Sequence, residues 1–166
     1  MLIKWLGAGL ILLAGGYASL AMGRMERRRL AVLDGYISLL RYIKGQINCY
    51  AMPVGDIIST ADPALLSACL GERRRNREIG SAVSLTLPDM VRSARLYMEP
   101  ETERLLCNFI SELGQTFRAE QVMRCEDYIQ ALGFERQKLS ETAPARTRIS
   151  STLSLCTALG LVILLW

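Results

Sequence analysis

Apolar residues recur every three or four positions through most of this chain, the spacing that turns one face of an α-helix toward a core. Leu30, Leu33, Ile37, Leu40 and Ile47 make the first long stripe, with Lys44 in the one place where an apolar residue is missing. Val122, Cys125, Ile129, Leu132 and Leu139 make the last, with Arg136 in the corresponding gap. Between them lie shorter patterns: Val54, Ile57 and Ile58, then Leu65, Leu66 and Leu70, then Met90, Val91, Ala94 and Tyr97. A further face is Leu105, Leu106, Phe109, Ile110 and Leu113.

Punctuation agrees with this division. Met52-Pro53 ends the first stripe near Tyr50, because the residue before proline is pushed out of the helical region. Asp62-Pro63 restarts a helix, with Asp as the cap and Pro in the first helical position, and Gly71 closes it. Pro88 and Pro100 open two more, and Glu101 and Glu103 suit the positive end of the second. Gly114 stops that helix and Thr116 is placed to cap the last one. Pro144 interrupts the final pattern before the chain's last apolar stretch. No useful strand alternation appears. The pattern predicts an all-α protein, with two long helices enclosing shorter ones in a bundle. Lys44 and Arg136 then either snorkel at the bundle edge or mark where each long helix leaves its core.

The ends are different in kind. Trp5 to Met22 and Ile149 to Trp166 are each 18 residues without a charge, about 27 Å of helix, against a bilayer core of about 30 Å. Two terminal transmembrane helices are therefore expected, flanking a bundle: 1–23 and 149–166 as spans, 24–148 as the domain between. Arg24, Arg27, Arg28 and Arg29 follow the first stretch, and Arg136, Lys138, Arg146 and Arg148 precede the second. Basic flanks predict a cytosolic middle in an integral membrane protein, with Trp5 and Trp166 at the outer interface. A cleaved leader is the rival for the first stretch, since Ser19-Leu20-Ala21 has small-x-small character. The arginines directly after it argue for retention. Gly15, Ser19 and Gly23 share one face at four-residue spacing, where another helix could approach closely.

Composition narrows the function more than it defines it. Hydrophobic residues make up 51% of 166, and the net charge is +4. That balance is too small to imply nucleic acid. Arg73, Arg74, Arg75 and Arg77 form the densest basic run, read as a solvated face or as a contact for anionic lipid or an acidic partner. No aromatic residue interleaves it, which disfavours single-stranded nucleic acid. Five cysteines occur without a C-x-x-C pair, and histidine is absent. The cysteines read as reduced thiols packed as small hydrophobes. Lack of histidine removes the commonest base and metal ligand together. Gly7-Ala8-Gly9 lacks the rest of a nucleotide loop, and Glu99, Glu101 and Glu103 are explained by a helix start. No catalytic, cofactor-binding or metal-binding constellation emerges, and no enzyme activity is expected.

The order of these parts resembles the stage III sporulation protein AB family, SpoIIIAB. The resemblance rests on Met1-Leu2-Ile3-Lys4-Trp5-Leu6-Gly7-Ala8 with its trailing arginines, on Ile47-Asn48-Cys49-Tyr50-Ala51-Met52-Pro53-Val54 and Ile57-Ile58, and on Thr102-Glu103-Arg104-Leu105-Leu106. It continues through Phe109, Glu112-Leu113-Gly114 and the ending Leu159-Gly160-Leu161-Val162-Ile163-Leu164-Leu165. Residues 71–88 match least, and Pro144 departs from a continuous helix. The resemblance implies a structural role without catalytic residues, in a helical domain similar to the cytosolic domain of the GspF secretion platform. It implies a place in the outer forespore membrane, in the SpoIIIA–SpoIIQ channel between mother cell and forespore. The implied partners are a secretion-type ATPase similar to SpoIIIAA and other SpoIIIA membrane proteins, with a homo-oligomer compatible. The competing reading is a membrane-tethered regulatory protein that binds anionic lipid through its arginine run.

Overall fold

The computed structural model of the protein describes residues 2–50, 54–70 and 86–165. All of its regular structure is helical: α1 (Leu2–Tyr50), α2 (Val54–Ser59), α3 (Pro63–Cys69), α4 (Leu87–Ala94), a 3₁₀ turn (Arg95–Tyr97), α5 (Pro100–Glu112) and α6 (Arg118–Leu165). The all-α expectation holds among the described residues. Residues group into two units, Met1–Arg28 with Leu139–Trp166, and Arg29–Lys138.

The expected pair of terminal transmembrane helices is corrected. Among the described residues, no helix is long and apolar enough to cross a membrane. Residues 5–22 belong to α1 and residues 149–165 to α6. Each uncharged run has 18 residues, near the lower limit of a membrane span. Each is also diluted, the first by Gly7, Gly9, Gly15, Gly16 and Ser19, the second by Ser150, Ser151, Thr152, Ser154 and Thr157. The orientation drawn from the arginine flanks and the two tryptophans loses its footing with the spans.

The core lies in the unit Arg29–Lys138. Val32, Leu33, Tyr36, Leu40, Ile43 and Ile47 of α1 are buried there, with Ile57, Cys69, Met90, Val91, Leu106, Phe109, Cys125 and Leu132 from the other helices. The stripe on α1 is wider than a seam of alternating threes and fours, because Val32, Tyr36, Leu39 and Ile43 are buried beside it. A face of that width fits a helix covered on several sides.

Local starts follow the sequence. The Asp62 carboxylate accepts the Ala64 N–H at 2.8 Å, and Pro63 takes the first turn of α3. Pro88 and Pro100 sit in the first turns of α4 and α5. Leu113 caps the end of α5, and Gly114 turns the chain with φ 87°. That is a left-handed conformation in which a Cβ costs energy.

Two expectations fail in detail. Thr116 does not cap α6. The Gln121 N–H bonds the Phe117 carbonyl, so the helix starts one residue later, and the buried Thr116 Oγ1 has no partner among the described residues. Nor does Pro144 break α6, which runs through it. A proline removes one backbone donor, a local loss that the neighbouring turns of a long helix can bridge. The Met52-Pro53 stop and the Gly71 closure lie outside the described residues.

Candidate functional site

The two long helices organise the unit Arg29–Lys138. Lys44 of α1 bonds Glu126 of α6. Asp34 of α1 takes the Arg136 guanidinium in a two-pronged bond, Nε to Oδ1 at 2.6 Å and Nη2 to Oδ2 at 3.3 Å. Residue numbers rise along α1 as they fall along α6, so the helices are antiparallel. Arg118 donates to the Asn48 carbonyl at the end of the pair. The two basic residues that occupy apolar places in the sequence stripes are thus the two whose ion pairs tie these helices together. They mark the edges of each buried face, and both pairs remain partly in water.

On its other side α1 meets α3 closely. A Cβ on Gly35 would lie 2.8 Å from both the carbonyl carbon and the carbonyl oxygen of Ala68. Only glycine admits that backbone approach. Next to it, Tyr36 is 1% exposed, and its hydroxyl has no partner among the described residues. Burial drives the Tyr36 pKa far up, with Cys69 as a smaller cause. Burial likewise pushes the Cys69 thiol up to about 12. Its Sγ donates to the Leu65 carbonyl at 3.5 Å. A thiol held protonated this firmly is a packing group, not a nucleophile.

A second polar cluster joins α5 to α6. Arg124 reaches Glu112 at 2.8 Å and Glu120 at 2.8 Å. Tyr128 packs edge-on against Phe109, with ring centroids 5.3 Å apart at 68°. Burial first, then Glu112, raises the Tyr128 pKa. Cys125 stands behind them, its thiol raised by burial and partly offset by Lys44. The hollow between these groups has a volume of about 10 Å³, room for a single water. That is far below the few hundred Å³ of a small-molecule site. Among the described residues, no group of histidine, cysteine or acidic side chains is placed to hold a metal.

The sites read from the sequence are scattered. Gly15, Ser19 and Gly23 lie on α1, with Gly23 half-buried and the side chain of Ser19 outside the description. Arg73, Arg74, Arg75 and Arg77 fall outside the described residues. Arg24, Arg27, Arg28, Arg146 and Arg148 are exposed and Arg29 is half-buried. Of the cysteines, Cys69 and Cys125 are buried, and Cys49, Cys107 and Cys156 are exposed. The acidic partners of Lys44 and Arg136 escaped the sequence, since 82 and 102 residues separate each pair. The only signal was the two basic residues themselves, out of place in apolar stripes.

No curated protein and no solved structure matches the chain. A family model does, that of stage III sporulation protein AB, over residues 4–166. With nearly the whole length matched, the chain belongs to the stage III sporulation protein AB family.

Proposed function

We propose that this protein is a structural part of the channel complex between mother cell and forespore, and that its helical unit serves as a docking platform for a secretion-type ATPase similar to SpoIIIAA. The family match over residues 4–166 carries the reading. The architecture supports it. Two long antiparallel helices, pinned by charged pairs, make a stiff frame that holds a surface in place without enclosing a substrate. The likeness of this unit to the cytosolic domain of GspF belongs to the same reading, as do contacts with other SpoIIIA proteins. The direct test is co-purification of the full chain with the ATPase from the same source, beside a strain deleted for the protein. Retention of the ATPase and a sporulation arrest at engulfment are expected. A deletion strain that sporulates normally removes the channel role. An ATPase that does not co-purify removes the platform.

A further inference from the structure

The outward face of α1 and α6 carries features that the core does not explain. Both helices turn their buried stripes into one core, so their opposite stripes look out on the same side. On α6 that side shows Met123, 62% exposed, and Phe134, 68% exposed. Their separation of three helical turns puts both on one line. Asp127 lies between them and is also exposed. On α1 the outward positions are Ser38, Arg41 and Gly45, all exposed. A Cβ on Gly45 would meet nothing within 4 Å, and the Ser38 hydroxyl is already bonded to the Asp34 carbonyl at 2.9 Å. Arg41 and Asp127 make no ion pair among the described residues, whereas Lys44, Asp34, Glu126 and Arg136 on the adjoining edge are all paired.

The register of the two ion pairs fixes which of these residues share a level. Phe134 stands near Ser38, Asp127 near Arg41 and Met123 near Gly45, each within about half a helical turn. Large apolar side chains on one helix therefore correspond to small residues on the other, and a free acid corresponds to a free base. Within one copy these groups lie side by side and cannot interlock. Across a two-fold axis parallel to the helices they can.

We propose that a second copy of this chain docks on this face, with α1 of each copy lying against α6 of the other. Phe134 and Met123 then fill the shallow places over Ser38 and Gly45 of the partner copy, and Arg41 meets Asp127 across the interface. Each contact occurs twice, as an isologous interface requires. The aromatic and thioether anchors supply apolar area, and the charged pairs set register.

Sedimentation velocity on the purified full chain tests this, with Arg41→Glu, Asp127→Arg and the double reversal. The unaltered chain is expected to be dimeric. Each single reversal should raise the dimer dissociation constant about tenfold or more by facing like charges, and the double reversal should restore it to within about threefold. Phe134→Ala should weaken the dimer without altering any charge. All three positions are exposed, so the far-UV circular dichroism of every variant should match the original. A chain that stays monomeric up to roughly 100 µM overturns the proposal. So do single reversals that leave the dimer unchanged, or a double reversal that fails to restore it.

Discussion

At the scale of single residues, α1 depends on two neighbours whose roles differ. Gly35 is there because the backbone of α3 passes where a side chain would stand. Gly35→Ala should therefore destabilise the fold by about 1–3 kcal/mol, the range for overpacking a filled site, although alanine is the better helix former. Urea unfolding measures it, and an unchanged midpoint would show that α3 can move aside. Tyr36 is the opposite case. Its ring fills the core, while its hydroxyl is buried without a partner among the described residues. An unsatisfied hydroxyl costs free energy that a phenyl ring does not. Tyr36→Phe should leave stability unchanged or raise it by about 1 kcal/mol. A clear loss would mean that the hydroxyl has a partner.

At the scale of elements, the helix starts were the most legible part of the sequence, because proline and its capping neighbours act within one turn. The Asp62-Pro63 start of α3 appears as read, and Asp62→Ala should cost about 1 kcal/mol of stability by removing the cap of the Ala64 N–H. Helix faces were legible too, since burial of Leu33, Ile37, Leu40, Leu106, Phe109 and Leu132 follows their spacing. What the sequence could not show is pairing between distant helices. Lys44 and Arg136 stood out as misplaced charges, but nothing local points to Glu126 or Asp34. The Gly35 approach was hidden for the same reason. Lys44→Glu should lower the melting temperature, and adding Glu126→Lys should recover most of the loss. A charge reversal without recovery would mean that the pair does not set the register of α1 against α6.

At the scale of the whole molecule, charge is better placed to govern stability than hydrophobic length. Among the described residues no helix is long and apolar enough to cross a membrane, and the family match covers residues 4–166. No histidine is present, so no side chain of ordinary pKa titrates between about pH 6 and 8. Folding free energy should be flat across that window. The alkaline side is different. Cys69 and Tyr36 are acids held neutral by burial, with folded pKa values raised above their ordinary 9.0 and 10.0. An unfolded chain releases those protons first, so its bound-proton number falls below that of the native state and stability drops as pH rises. The contribution is fully present below about pH 9 and declines from there upward, with Cys69 not ionising in the fold until about 12. Denaturant titrations at pH 6, 7, 8, 9, 10 and 11 should show a plateau followed by a fall. Cys69→Ala should make the start of that fall shallower, leaving Tyr36 and Cys125 as the core acids raised by burial, though it lowers the plateau by removing a packed side chain. A plateau that reaches pH 11 would show that Cys69 and Tyr36 are not as enclosed as the packing of α1 against α3 makes them, and a slope between pH 6 and 8 would show that some other group changes its pKa on folding.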